Sequence, residues 1–244
     1  MPKPRIYLDQ PLATDERIAL PEAAFRHLVQ VLRLAAGESL VLFNGRGGEY
    51  EATLETVGKR DAQVRVGAHR TVDRESALRI TLAQGISKGE RMDWCVQKAT
   101  ETGVARIVPL VTEHCVVKLD AERWTRKHEH WQGVATSAAE QSGRTRVPAI
   151  EPVAAFSAYL KHVPAGALKV ILDPDVESTL ADIKPARDIV LLIGPEGGFS
   201  PAELQQAQQA GFTPLRLGPR ILRTETAATV AMTVLQTLWG DLKC

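Results

Sequence analysis

Hydrophobic and polar positions follow two regimes along the chain. Up to about residue 72, short strand-like runs ("RIYL", "SLVLFNGRGGEYEATLETV", "GKRDAQVRVGAH") are separated by tight turns, one of them glycine-rich at Asn44–Gly48. One helical stretch interrupts them: in "PEAAFRHLVQVLRLAAG", Phe25, Leu28, Val29 and Leu32 recur at helical spacing and Gly37 is the expected stop. Successive strands with short turns predict an antiparallel meander or small barrel over residues 1–72.

The polar link "TVDRES" (71–76) ends that pattern, and strands then alternate with helices. "LRITLAQG" reads as a strand. "SKGERMDWCVQKATETG" reads as a helix, with Ser87 and Glu90 as a capping box and Gly103 as the stop. "ARIVPLVT" is a further strand, and the long helix "ERWTRKHEHWQGVATSAAEQSG" carries Trp124 and Trp131 on one stripe. "ALKVILDP" and "DIVLLIG" are continuously apolar, as strands buried on both faces of a parallel sheet must be. The alternation predicts an α/β domain over 73–244.

Composition narrows the class. The 244 residues carry a net charge of +1 with 44% hydrophobic content, ordinary for a globular chain; only a local basic patch would serve nucleic acid. No apolar run reaches signal-peptide or membrane-spanning length, so a cytoplasmic location is expected, with no membrane partner. Cys95, Cys115 and Cys244 have neither paired spacing nor an even count, which favours a reducing compartment. His128 and His130 are two apart on a helix and face different ways, so no metal site is expected.

Two loops carry the candidate chemistry. In "IVLLIGPEGGFSP" an apolar strand enters a glycine turn and then a helix, with Ser200 as N-cap, Pro201 at the first position and Glu203 completing a capping box. The turn lacks both the Walker lysine and the G-x-G-x-x-G spacing, and Glu196 would repel a pyrophosphate. A nucleoside without phosphate fits; so, on this loop alone, does a bare tight turn with two positive-φ glycines. The second loop, "LRLGPRILRTETAATVAM", leaves a strand at Leu217, turns at Gly218-Pro219 and enters the last helix, which Thr224 is expected to cap.

"IGPEGGFS..E" followed by "LG.RILRTETA" is similar to the paired signature of the RsmE-type ribosomal RNA uridine-N3 methyltransferases of the SPOUT superfamily. "QGISKGERMDWCVQKATETGV", "AAEQSGRTRVP" and "HLVQVLR" also resemble that family, so the likeness covers nearly the whole chain. It implies a PUA-like N-terminal β-barrel, a C-terminal SPOUT α/β domain with a deep trefoil knot, and a homodimer. It implies S-adenosylmethionine held by Leu172, Gly194, Pro195, Glu196, Gly197, Gly198, Leu217, Gly218, Ile221, Leu222, Arg223, Thr224 and Ala227. A valine at Gly197 is then expected to fill space beside the adenosine. The substrate implied is N3 of a uridine in small-subunit (16S) ribosomal RNA, met on the assembled 30S subunit.

Removing the N3 proton needs an acceptor and charge stabilisation. Arg223 and Arg144 are candidates for stabilising the charge, and phosphate positioning serves each equally well. Glu225 is the candidate proton acceptor or else a helix-dipole partner. Candidate RNA contacts are Arg5, Arg26, His27, Arg33, Lys88, Arg91, Lys98 and Arg144, with Arg91 and Lys98 expected on an outward stripe. The competing readings are a non-catalytic RNA-binding protein of the same architecture and a small-molecule enzyme using a nucleotide. The intact pair of loops argues against the first, and the missing Walker lysine and ribose-reading acid against the second.

Overall fold

A computed structural model describes residues 3–117 and 120–243, so Cys244 lies outside the described residues. The chain forms two compact units, Met1–Glu75 with Ala139–Val147, and Ser76–Ala138 with Pro148–Cys244.

The first unit contains β1 (Arg5–Tyr7), β2 (Arg17–Ala19), α1 (Glu22–Phe25), β3 (Ser39–Phe43), β4 (Glu49–Val57) and β5 (Ala62–Arg70). They build a five-stranded sheet in the order β1-β3-β4-β5-β2. It is not a pure meander: β1 runs parallel to β3, because β2 and α1 intervene in the chain before β3 returns. Period-two patterning sets its faces. Ala62, Val64 and Val66 of β5 point into a core with Ile6, Leu8, Leu28, Leu40, Leu42 and Leu54, while Gln63 and Arg65 face out.

The expected helix is shorter than its apolar spacing predicts. One α-turn passes into a π-helical stretch over Arg26–Val31, in which the Leu32 N–H reaches the His27 carbonyl. The wider turn buries Leu28 but leaves Val31 and Leu32 exposed. Arg33, at φ 58°, ends it four residues before Gly37.

A cluster of arginines and glutamates binds residues 139–147 into this unit. Glu49 accepts from Arg5 and, at 3.0 Å, from Arg74; Arg5 and Arg74 also donate to the carbonyls of Arg144 and Gly143, each at 2.9 Å. Glu75 accepts from the Arg144 guanidinium and from the backbone N–H groups of Thr145 and Arg146. Burial opposes the Glu49 charge, but Arg74 and Arg5 outweigh it and hold the carboxyl below its ordinary range. Two expectations are corrected here. Arg5 and Arg144, placed by sequence among the RNA contacts, have only 14% and 8% of their side chains exposed and serve internal carboxylates.

The second unit contains β6 (Arg79–Gly85), α2 (Glu90–Glu101), β7 (Arg106–Val111), α3 (Ala121–Ser142) as far as Ala138, β8 (Ala149–Ile150), β9 (Ala154–Ala155) and α4 (Phe156–Leu160). It continues through β10 (Leu168–Leu172), β11 (Asp188–Ile193), α5 (Pro201–Gln209), β12 (Thr213–Leu215) and α6 (Thr224–Trp239). The strands form one parallel sheet, β12-β10-β11-β6-β7-β8, with β9 pairing beside β8's place on β7. β11 is buried on both faces, as its unbroken apolar run requires. On one face Val108, Leu110, Ile171, Val190 and Leu192 pack with Phe156, Ala207 and Phe212, and α2 packs against α6.

Chain order reverses at β6: β7 lies on one side and β11 on the other. That switch places the carboxyl ends of β6, β10, β11 and β12 where α/β sheets open a crevice. α2 starts later than expected, at Glu90 after an N-cap Gly89, and buried Ser87 does not cap it. No described helix is long and apolar enough to cross a membrane, and no described group of three or more His, Cys, Asp or Glu is placed to hold a metal. His128 instead donates to the Ile150 carbonyl and His130 to Asp93.

Candidate functional site

Three strand ends and the start of α6 surround a cavity of about 620 Å³ in the second unit. β10 contributes Leu172 and the following Asp173 and Asp175. β11 leads into the turn Gly194–Phe199. β12 leads into the longer crossover, from Arg216 and Leu217 through Gly218 and Arg220 to Ala227. Every residue the sequence assigned to the cofactor lines this one cavity: Leu172, Gly194 to Gly198, Leu217, Gly218, Ile221 to Thr224, and Ala227. Leu172, Ile193, Leu204, Leu215, Leu217, Leu222 and Ala227 supply apolar wall fit for a flat base.

The first crossover is held on every side. Ser200 accepts from the Glu203 N–H at 3.2 Å, and Glu203 returns a bond to the Ser200 N–H at 3.0 Å, with Pro201 at the first helical position as predicted. The other oxygen of Glu203 accepts the Glu113 N–H at 2.9 Å, tying in the loop after β7. From that loop the His114 Nδ1–H donates to the Gly197 carbonyl at 2.9 Å. A Cβ on Gly197 would lie 2.9 Å from the His114 Cβ, so the expected crowding by valine falls first on His114 rather than on a ligand. Only one glycine of this turn, Gly198 at φ 69°, needs the left-handed region, not the two the sequence suggested.

Glu196 has a cation after all, supplied from α2. Its Oε1 accepts both the Lys88 N–H and the Arg91 guanidinium, each at 2.9 Å. Burial works against the charge, but the backbone N–H groups and Arg91 hold this carboxyl below its ordinary value. Arg91 lines the cavity and stays exposed, while Lys98 is half-buried over the Trp94 ring; both are already paired, with Glu196 and Glu101. Arg26 is exposed and paired with Glu22; His27, Arg33 and Lys88 are exposed.

The second crossover is built differently. Thr224 is the first residue of α6 and does not cap it; Arg223 occupies the cap position without a side-chain bond. The Thr224 hydroxyl instead donates to the Gly194 carbonyl at 2.6 Å, joining the two crossovers. Arg223 is exposed at the cavity, Ile221 is 86% exposed, and Glu225 has a buried Oε2 with no hydrogen-bond partner. Arg144 is not among the lining residues, so of the three candidate catalytic groups the cavity gathers Arg223 and Glu225.

Sequence reading missed several groups. Arg216 and Arg220 join Arg91 and Arg223 on the wall, opposed by Asp173, Asp175, Glu196 and Glu225, so the cavity balances four arginines against four carboxylates. "LRLGPR" held the signal, because the arginines flank the second turn. The other omission is the pair Gln84-Gly85 at the end of β6. A Cβ on Gly85 would lie 2.5 Å from the Pro195 nitrogen, so only glycine lets the first crossover lie on this strand.

The chain matches a family model described as an RNA methyltransferase domain over residues 74–236, and one described as an RNA methyltransferase PUA domain over residues 20–67. It is 33% identical over 240 residues to the ribosomal RNA small subunit methyltransferase E of Buchnera aphidicola from Schizaphis graminum, covering 98% of each chain. The chain belongs to the ribosomal RNA small subunit methyltransferase E family. The Bacillus subtilis member is 29% identical over 86% of this chain and 85% of its own. Two solved structures superpose throughout. The Neisseria gonorrhoeae enzyme bound to S-adenosylmethionine gives a TM-score of 0.93 at 40% identity, covering 99% of this chain and 100% of that one. A Legionella pneumophila methyltransferase with the same molecule bound gives 0.96 at 42%, with the same coverage. The fold is accordingly α/β, with an N-terminal PUA-like domain and a C-terminal methyltransferase domain.

Proposed function

We propose that this chain methylates N3 of a uridine in small-subunit ribosomal RNA, using S-adenosylmethionine held between the two crossovers. The coarser activity, S-adenosylmethionine-dependent ribosomal RNA methylation, is that of the family. The observation that carries the site is the convergence of both crossovers on one cavity whose charges balance and whose walls are largely apolar. Such a lining suits a zwitterionic nucleoside with one additional positive centre. The orphaned Oε2 of Glu225 is an acceptor that such a ligand, or the substrate imide, would satisfy.

S-adenosylmethionine, when bound, supplies a methyl group already activated on sulfur. The chain's part is to bind and to manage one proton. Backbone groups of Gly194–Gly198 and Leu217–Leu222 hold the nucleoside, with Leu172, Leu217, Leu222 and Ala227 against the base. Glu225 accepts the N3 proton, and Arg223 stabilises the negative charge left on the uracil. Arg216 and Arg220 add cations beside Arg223 for the RNA backbone, and Arg26, His27, Arg33 and Lys88 are the remaining exposed candidates. The first unit, residues 1–75 with 139–147, acts as the PUA-like RNA-binding module, and the second as the knotted catalytic domain. The working form is a cytoplasmic homodimer acting on the assembled small subunit.

Mass mapping of small-subunit ribosomal RNA from cells lacking the chain tests the specificity. One uridine is expected to lose the mass that a single methylation adds, and to regain it on complementation. Loss at a base other than uridine, or at another ring position, contradicts it.

A further inference from the structure

Gln84 is wholly buried at the carboxyl end of β6 and does not line the cavity, yet its side chain touches both crossovers. Nε2 lies 2.9 Å from the Thr224 hydroxyl, 3.3 Å from the Gly194 carbonyl and 3.0 Å from the Gly85 carbonyl. Oε1 accepts the Cys95 thiol at 3.3 Å. The directions follow from the donor inventory. Thr224 gives its only hydroxyl proton to Gly194 at 2.6 Å, so toward Gln84 it accepts, and the amide nitrogen must face it. The oxygen then faces Cys95, whose thiol burial pushes up to about 12, with Glu225 adding to the rise, and which therefore keeps its proton. The relay runs one way, from Cys95 through Gln84 and Thr224 to Gly194.

We propose that Gln84 is a positioning residue for the methyl-donor site, locking the two crossovers in register through Thr224 and Gly194. It acts only through those residues and touches no reacting atom. Its place is dictated by topology: β6 lies beside β11, Gln84 pairs with Ile193, and the next residue is the glycine that admits Pro195. A buried network satisfied at every member specifies one arrangement, whereas a partly satisfied one does not. The proposal rests on the cavity's being the S-adenosylmethionine site.

The test is titration of S-adenosylmethionine into the folded wild-type chain and into Gln84→Met, Thr224→Val, Thr224→Ser and the Gln84→Met/Thr224→Val double variant, with melting temperatures recorded alongside. Gln84→Met and Thr224→Val are each expected to weaken binding by about fivefold to tenfold. The double variant should be little weaker than either single one, because both break the same relay. Thr224→Ser keeps the hydroxyl and should bind within about twofold of wild type. In steady-state assays KM for the methyl donor should rise while KM for RNA stays put. Unchanged affinity in folded Gln84→Met, or fully additive losses in the double variant, overturns the proposal while leaving the site intact. Should Gln84→Met not fold, Thr224→Val against Thr224→Ser decides alone: equal affinities overturn it. A wild-type chain that binds no S-adenosylmethionine overturns the site assignment itself.

Discussion

The two crossovers leave β11 and β12, which flank β10 in one sheet, enter helices and meet at one cavity, yet they are held in opposite ways. In Gly194–Phe199 every nearby polar side chain serves the turn: Ser200 and Glu203 cap each other, His114 holds the Gly197 carbonyl, and Arg91 holds Glu196. In Arg216–Thr226 almost nothing is self-supporting. Arg223 caps nothing, Ile221 faces solvent, and Thr224 uses its hydroxyl on the other crossover. One crossover is braced from outside and offers backbone; the other leaves its arginines and Glu225 disposable for chemistry. In the proposed function, binding and reaction are thus divided between two turns of similar topology.

The largest effect should come from denying the braced crossover its seat. Gly85→Ala places a Cβ 2.5 Å from backbone that cannot swing aside, which should cost about 3 kcal/mol of stability and abolish methyl-donor binding; urea unfolding and titration read the two. Gly197→Val should cost about 2 kcal/mol by crowding His114, and His114→Gly in the same chain should return part of the binding. Full affinity in the single valine variant would show that this turn is less tightly braced than its contacts imply. Ser200→Ala should remove about 1 kcal/mol, measured by thermal unfolding.

The Arg91–Glu196 clamp has a pH signature. Its carboxyl is held below the ordinary 4.5, so the contribution is complete above that pH and is lost only as pH falls through the lower folded value. Unfolding midpoints in Glu196→Gln and wild type should therefore differ at neutral pH and converge in acid. The smallest effect belongs to the unbraced crossover: Ile221→Ser, at a site 86% exposed, should change stability by no more than about 0.5 kcal/mol. A larger loss would mean that this turn, too, is supported by its own side chains.

Much of this was legible in the residues. Continuous apolar runs betrayed the parallel strands, and the Ser200-Pro201-Glu203 pattern betrayed the start of α5, because both depend on neighbours within a few positions. The residues proposed to hold the cofactor were named through resemblance, and one cavity gathers all of them. What stayed hidden depended on distant partners. Arg5 and Arg144 look like surface cations until Glu49 and Glu75 are placed beside them. Thr224 looks like a cap because nothing local reveals the Gly194 carbonyl thirty residues back. Gln84 is one polar residue at the end of a strand, and only the sheet order brings it between the two turns.

The most direct measurement is a titration of the purified chain with S-adenosylmethionine, repeated in the presence of ATP and of NAD. Saturable binding at one site per chain, lost in Gly85→Ala and undisturbed by either phosphorylated nucleotide, is expected of a cavity built for a nucleoside without phosphates. Absence of binding, or displacement by ATP or NAD, would contradict the site, and the four arginines on its wall would then need another ligand.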